Sequence, residues 1–126
     1  MIYNDLIKLK NAYLAGHPEV ILPYSTFTHR VLEVLARKMY LGKVQVEEGE
    51  KRPFLRAELL YTNHTPHLRE VRFRSKPGAR IYLKQTKLRG VRQGYGEVLV
   101  STSKGVMTSA EAKRSNIGGE VICEVF

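Results

Sequence analysis

The spacing of apolar residues predicts two amphipathic helices in the first third of the chain. The apolar face of the first consists of Leu6, Leu9 and Tyr13, flanked by Ile7 and Leu14. Asn4 or Asp5 is suited to cap the start of this helix, and Gly16 to end it. Ser25 is suited to cap the second helix, which Gly42 stops. Its apolar face consists of Phe27, Val31, Val34 and Leu35.

Strand patterns follow each helix. EVILP, residues 19–23, is a short apolar run that Pro23 ends. KVQVEE and FLRAELLYT flank the turn residues of GEKRP and therefore predict a hairpin. The order helix, strand, helix, strand, strand predicts an α-β-α-β-β subdomain over residues 1–63. NHTPH, residues 63–67, is predicted to be a linker.

The second half of the chain is predicted to be mainly β. LREVRFRS alternates apolar and basic residues, which is typical of a half-buried strand, and KPG has turn chemistry. RIYL, EVLVS and EVICEVF are further short strands. Thr108 and Glu111 fit a capping box that begins one short helix, so STSKGVMT, residues 101–108, is predicted to be a strand-to-helix loop. The fold class is α/β of the α+β type, with two small subdomains, 1–63 and 64–126.

Length and composition narrow the class of protein. A chain of 126 residues buries roughly two-thirds of the surface exposed when unfolded, which needs no covalent cross-links. The single cysteine, Cys123, excludes an internal disulfide and alternates with Val121 and Val125, as a small core residue would. No apolar run approaches the ~20 residues of a membrane span. The first residues, with Asp5, do not resemble a secretory signal. We therefore expect no membrane partner.

The charge is strongly asymmetric. Residues 1–66 carry 9 basic and 7 acidic side chains, a net of +2, whereas residues 67–126 carry 12 and 5, a net of +7. Residues 69–92 contain nine basic residues, Lys76 and Arg80 among them, against the single acidic residue Glu70. Such a basic block attracts a polyanion by releasing its counterions. A solvated face that only aids solubility is the alternative.

Catalytic, nucleotide and metal sites find little support. Ser101 or Ser103 as a nucleophile, with Lys104 as its base, would lack the strained Gly-x-Ser-x-Gly elbow. The glycines at 94, 96 and 105 fit neither the dinucleotide fingerprint nor the P-loop. His64 and His67 lie three apart without a nearby cysteine pair, which does not make a metal motif. We expect no enzyme, cofactor or metal.

An RNA-binding surface explains more of these residues than a catalytic, nucleotide or metal site does. RNA presents phosphates, 2′-hydroxyls and a shallow minor groove, which favour small hydroxyl groups and closely approaching backbone. The residues of those types are Ser101, Thr102, Ser103, Gly105, Gly118 and Gly119. Lys104 is suited to a phosphate, and the Glu120 carboxylate to a base amino group or a 2′-hydroxyl, although a solvent-facing strand position explains Glu120 equally well. Tyr82 is suited either to stack on an RNA base or to pack against other residues of the protein.

Three motifs carry a resemblance to a known family. SKPGARIY (75–82), GYGEVLVSTSKGVMTSAEA (94–112) and IGGEVICEVF (117–126) resemble the C-terminal domain of the small-subunit ribosomal protein eight family. NDLIKLKNA (4–12) and LPYSTFTHRVLEVL (22–35) are similar to its N-terminal domain. The resemblance implies a two-domain fold, with an α-β-α-β-β domain before a mainly β domain that has one short helix.

The resemblance also implies an activity. Members bind the central domain of small-subunit ribosomal RNA early in assembly, beside neighbouring ribosomal proteins and without catalysis. Many bacterial members also repress their own operon by binding a similar hairpin in its messenger RNA. The implied location is the ribosome, in the cytoplasm or in an organelle. A basic DNA-binding module remains the alternative, although most positive charge lies outside the predicted helices.

Motif matching carries the family's RNA contacts onto this chain. The main contact falls on Ser101, Thr102, Ser103, Lys104, Gly118, Gly119 and Glu120. Arg80 and Tyr82 match a flanking basic-aromatic strand, and Lys76 belongs to the same basic block. Ser25 matches the hydroxyl of an N-terminal Pro-x-Ser-Lys loop, in which Thr26 stands where the family usually has lysine.

Overall fold

The computed structural model describes residues 2–73, the backbone of residues 82–83, and residues 96–126. The chain divides into two compact units, Met1–Arg69 and Glu70–Phe126. Both contain helices and strands, which confirms the α+β class. The subdomain boundary expected after residue 63 lies six residues before this division and stays a prediction.

The first five elements of the first unit follow the predicted order, and two short strands that were not predicted come after them. These are α1 (Ile2–Leu14), β1 (Glu19–Pro23), α2 (Thr26–Arg37), β2 (Val44–Glu47), β3 (Phe54–Glu58), β4 (Tyr61–Thr62) and β5 (Thr65–Pro66). β3 pairs antiparallel with β1 on one side and with β2 on the other, so the predicted β2–β3 hairpin is confirmed. β4 and β5 form a separate two-stranded ladder.

Alternation along the strands and helical periodicity together produce the core of the first unit. The buried residues include Leu6, Leu9, Tyr13, Val20, Leu22, Val31, Val34, Leu35, Leu55 and Ala57. Two residues predicted on or beside the helical apolar faces are not buried: Leu14 is 70% exposed and Phe27 is 37% exposed. Each lies in a terminal turn of its helix. An apolar face is buried only as far as its partner element extends, which accounts for the exposure of these two side chains.

The helix caps are partly as predicted. Ser25 caps α2 by accepting a hydrogen bond from the Thr28 backbone N–H at 3.0 Å. Asp5 does not cap α1, because α1 begins at Ile2 and includes Asp5. Asp5 is buried instead, and its Oδ2 accepts a hydrogen bond from the Thr28 hydroxyl at 2.9 Å. This bond joins α1 to the start of α2.

The three described helices end in the same backbone motif. Gly16, Met39 and Asn116 have φ of 75°, 67° and 58°, in the left-handed region. Each N–H bonds the carbonyl three residues back, and the next N–H bonds the carbonyl five residues back. That pair of bonds is the Schellman motif. It ends α2 at Arg37, so the predicted stop at Gly42 is wrong.

The segment predicted as a linker forms a hairpin. Thr62 pairs with Thr65 across a two-residue turn, Asn63–His64, in which φ is 52° and 67°. Positive φ at both central residues is the signature of a type I′ turn, which matches the twist of paired strands. The His67 ring then fixes the hairpin, since Nδ1 donates to the Met39 carbonyl at 2.8 Å and Nε2 lies 2.7 Å from the Thr62 hydroxyl.

The described residues of the second unit form a β-sheet with one short helix. Its elements are β6 (Val71–Arg72), β7 (Tyr82–Leu83), β8 (Glu97–Thr102), β9 (Gly105–Thr108), α3 (Ser109–Arg114) and β10 (Gly119–Val125). The strand order is β6-β10-β8-β9, with β7 also paired to β10, and every pairing is antiparallel. The predicted capping box is confirmed, because Thr108 and Glu111 bond each other's backbone N–H groups.

Two predictions for this unit need correction. Residues 101–108 are not a loop: β8 continues to Thr102, the chain turns at residues 103–104, and β9 pairs back along β8 before α3 begins. The alternation proposed around Cys123 is incomplete as well, because residues 121–126 are all buried. β10 is paired with other strands along its edges, and the side chains on both of its faces are buried.

Candidate nucleic-acid interface

The turn between β8 and β9 is short and internally bonded. Thr102 pairs with Gly105, which leaves Ser103 and Lys104 as the two turn residues, both exposed. The Thr102 hydroxyl donates to the Gly105 carbonyl at 2.8 Å and accepts from the Lys104 backbone N–H at 3.1 Å. Gly105 has φ of 113°, a backbone conformation that is strained in residues with a side chain. The turn is therefore held in one shape by its own hydroxyl group.

The beginning of β10 lies directly against the end of β8. Glu120 pairs with Ser101 on one side and with the Tyr82 backbone on the other. A Cβ on Gly119 would lie 2.7 Å from the Ser101 carbonyl oxygen and 2.9 Å from Thr102 Cγ2. Only glycine permits this approach of two backbones. The pairing thus brings together segments that lie about twenty residues apart in sequence.

We call residues 101–104 and 118–120 together the hairpin surface. Within it Ser101, Thr102 and Glu120 are half-buried, and Gly119 is buried. The Thr102 hydroxyl already has two partners inside the turn. The exposed hydroxyl is that of Ser103. The surface therefore combines an exposed hydroxyl, an exposed ammonium group and a partly exposed carboxylate.

The core of the second unit supports the hairpin surface from behind. Val98, Val100, Ala112, Val121 and Phe126 form one buried cluster, with Met107 and Ile117 packed against it. Val100 and Val121 are direct neighbours of the surface along β8 and β10. Thr108 ends β9 and caps α3 in the same position. The two segments of the surface are thus fixed by strands and a capped helix.

Two exposed cations were missed by the sequence analysis. Lys113 and Arg114 lie in the last turn of α3, and the chain runs from there through Asn116 to Gly118. The signal was available, because two adjacent basic residues stand shortly before the Gly-Gly-Glu motif. They add positive charge to the segment that leads into the hairpin surface.

Four of the predicted RNA-contacting residues do not belong to the hairpin surface. Lys76 and Arg80 lie outside the described residues, as does the Tyr82 side chain. Ser25 lies in the first unit, where its hydroxyl donates to Thr28 Oγ1 at 2.9 Å while it caps α2. That structural role accounts for Ser25 by itself. The RNA contacts proposed for these four residues stay predictions.

The titratable groups nearby do not resemble a catalytic or metal centre. Burial raises the pKa of the Cys123 thiol to about 12, with a smaller contribution from Glu124, so the thiol stays protonated. In the residues that the structure describes, no group of three or more His, Cys, Asp and Glu could hold a metal ion. None of the described helices is long and apolar enough to cross a membrane.

A family model described as "Ribosomal protein S8" matches residues 1–126. The chain belongs to this family. The assignment identifies it as a structural, non-enzymatic protein of the small ribosomal subunit, which confirms the resemblance stated from the motifs.

Curated relatives agree over nearly the whole chain. "Small ribosomal subunit protein uS8" of Dictyoglomus turgidum is 39% identical over 99% of this chain and 95% of its own length. The protein of that name from Ruegeria pomeroyi is 42% identical, over 96% of this chain and 94% of its own. That of Campylobacter hominis is 35% identical, over 100% and 97%. Ribosomal RNA and neighbouring ribosomal proteins are therefore its partners.

Proposed function

We propose that the chain binds the central domain of small-subunit ribosomal RNA during subunit assembly, through the hairpin surface. The observation that carries the proposal is the register that sets Ser101 opposite Glu120 while Gly119 lies against the Ser101 carbonyl. Residues of two separate motifs thereby form one continuous surface. Its mixture of hydroxyl, carboxylate and ammonium groups suits the 2′-hydroxyls, base edges and phosphates of an irregular RNA helix.

Each polar group has a distinct task in this proposal. The Ser103 hydroxyl both donates and accepts, so it is suited to a 2′-hydroxyl or a base edge. Glu120 accepts hydrogen bonds only, which favours a base amino group over a phosphate. Lys104, Lys113 and Arg114 supply charge for the phosphates. Thr102 holds the turn and acts as a positioning residue.

We extend the proposal to the messenger RNA of the chain's own operon. The support is the resemblance stated from the sequence, since a hairpin similar to the ribosomal site would meet the same surface. Because the curated relatives named above are bacterial proteins, we place the chain on a cytoplasmic ribosome. Tighter binding to an organellar ribosomal RNA would contradict that placement.

The deciding experiment is a salt-dependent titration with two RNA hairpins. One is the central-domain hairpin of small-subunit ribosomal RNA, and the other has the same length but its internal bulge fully paired. We expect the native hairpin to bind at least ~1,000-fold more tightly at physiological salt. Equal binding, with equal weakening by salt, would refute the proposal. Duplex DNA is the competitor for the alternative, a basic DNA-binding module, and should not displace the native hairpin.

Two variants test the assigned tasks. Ser103→Ala should weaken specific binding by ~1–3 kcal/mol, because one hydrogen bond that is buried in the RNA complex is lost. Non-specific binding should be unchanged. Lys104→Ala should lower the salt slope by about one unit, because one phosphate contact is lost. Lys51→Ala, an exposed lysine of the first unit, is the matched control and should leave the slope unchanged. An unaltered slope in Lys104→Ala would exclude a phosphate contact there.

A further inference from the structure

The sheet of the first unit has one face that its helices do not cover. Burial alternates along β1 and β3, so that Val20, Leu22, Leu55 and Ala57 point into the core. The alternate positions of the three strands point outward. They are Glu19, Ile21, Pro23, Gln45, Glu47, Phe54, Arg56 and Glu58. We call them the open sheet face.

The centre of the open sheet face is an ordered ion network. The Arg56 guanidinium donates from Nε and a terminal nitrogen to the two Glu47 carboxylate oxygens, at 2.8 and 3.1 Å. Its other terminal nitrogen donates to Glu19 on the opposite neighbouring strand. One arginine thus spans all three strands. The same guanidinium lowers the pKa of Glu47, which keeps that carboxylate charged throughout the physiological range.

The face has the opposite charge to the rest of the chain. Its three carboxylates, of Glu19, Glu47 and Glu58, stand against the single guanidinium of Arg56, which leaves a net charge of −2 in a chain of +9. RNA phosphates are repelled by such a surface. An RNA-binding protein therefore has a face that its main partner avoids.

Apolar groups lie among these charges. Ile21 is 42% exposed and stands opposite Arg56 in the β1–β3 pairing. Phe54 is half-buried, with the Arg56 guanidinium carbon 5.9 Å from its ring centre. Aromatic residues and arginine are enriched at protein interfaces, and apolar positions surrounded by polar groups form their usual centre. Carboxylates already fixed by hydrogen bonds lose little further freedom when a cation joins them.

We propose that the open sheet face docks a basic segment of a neighbouring protein in the small ribosomal subunit. Lysine or arginine side chains of that segment meet Glu19 and Glu47, and an apolar side chain covers Ile21. The proposal rests on the family assignment and on charge complementarity. It does not depend on the hairpin surface.

The test uses the full chain with photoreactive p-benzoylphenylalanine in place of Ile21. The chain is assembled with small-subunit ribosomal RNA and the complete set of other small-subunit proteins, irradiated, and its adducts are mapped by mass spectrometry. We expect one protein adduct, within a segment of net positive charge. The control carries p-benzoylphenylalanine in place of Leu14, an exposed position outside the open sheet face, and should not give that adduct. The proposal would be overturned by an adduct with ribosomal RNA or with a neutral or acidic protein segment. It would also be overturned if assembled particles gave no protein adduct.

A charge variant supplies an independent measurement. Glu19→Gln combined with Glu47→Gln should reduce the adduct yield at position 21 by at least about threefold, as expected for two exposed ion pairs. Glu33→Gln, whose side chain is 59% exposed on α2, is the matched control and should leave the yield unchanged. Ribosomal RNA binding is measured in the same particles. Loss of the adduct with RNA binding intact supports this proposal, whereas unchanged yield contradicts it whatever the fate of the RNA site.

Discussion

Gly119→Ala tests the close approach on which the hairpin surface depends. The added methyl group would lie 2.7 Å from the Ser101 carbonyl oxygen, a distance that real Cβ atoms essentially never show. The second contact, 2.9 Å to Thr102 Cγ2, belongs to a side chain whose hydroxyl is already bonded in the turn. The Ser101 oxygen belongs to the backbone of a paired strand and has no freedom to rotate away. β10 must therefore move away from β8 at this point.

The size of the effect follows from the geometry. Contact begins at roughly 3.4 Å, so the strands must separate by several tenths of an ångström at each contact. Forcing one extra methyl group into close-packed structure costs ~1–3 kcal/mol. We expect that loss in the free energy of unfolding of the second unit. We also expect weaker binding of the native RNA hairpin, because the same movement displaces Glu120 relative to Ser101.

Hydrogen exchange of the β10 amides in the native state reports the stability of the second unit directly. Protection of these amides should fall in Gly119→Ala, and urea unfolding should shift to lower concentration. Gly16→Ala is the control, since no atom lies within 4 Å of its new methyl group and only its φ of 75° causes strain. It should leave β10 exchange and RNA affinity unchanged. Stability within ~0.5 kcal/mol of the wild type for Gly119→Ala would refute the reasoning.

Three further predictions concern groups whose roles became visible only in the fold. Thr102→Val should destabilise the β8–β9 hairpin by ~1–2 kcal/mol and weaken RNA binding, because two hydrogen bonds are lost. Thr102→Ser should retain both bonds. Urea unfolding measures the stability, and the titration with RNA hairpins measures the binding. Met39→Gly should raise the free energy of unfolding by ~0.5–1 kcal/mol, since Met39 has φ of 67° and is 62% exposed; a lower unfolding midpoint would contradict it. Arg56 lowers the pKa of Glu47, so the contribution of this ion pair to stability is fully present above the ordinary glutamate pKa of about 4.3 and declines as the pH falls below it. Glu47→Gln should therefore be less stable than the wild type at neutral pH, and acid melts should show this difference shrinking.

Features that depend on neighbours in sequence were predicted well. The caps at Ser25 and at Thr108 with Glu111 join groups three residues apart, so their pattern is readable without knowing the fold. The strands EVILP and EVLVS were bounded by clear turn or charge signals. The order of the first five elements followed from these local signals alone.

Two hairpins and one hydrogen bond between distant residues were not predicted. β9 is four residues long, begins with glycine and follows a Ser-Lys turn, which lacks the Asn-Gly or Asp-Gly signature of tight hairpins. Its strand character comes from its pairing with β8. The hairpin at Asn63–His64 was missed because its turn has histidine where the usual signature of a type I′ turn has glycine. Asp5 was assigned to a helix end because nothing near it in sequence indicates its bond to Thr28.

The same distinction applies to the hairpin surface. The sequence motifs identify the residues of the hairpin surface, because their hydroxyl residues and glycines can be recognised without the structure. They do not say which hydroxyl faces outward, since that depends on the turn that Thr102 closes with Gly105. Thr102, which looks equivalent to Ser103 in the motif, already has both bonds inside the protein. Substitutions at these two neighbouring hydroxyls should therefore differ in kind: one should change the shape of the surface and thus its stability, and the other only its affinity for RNA.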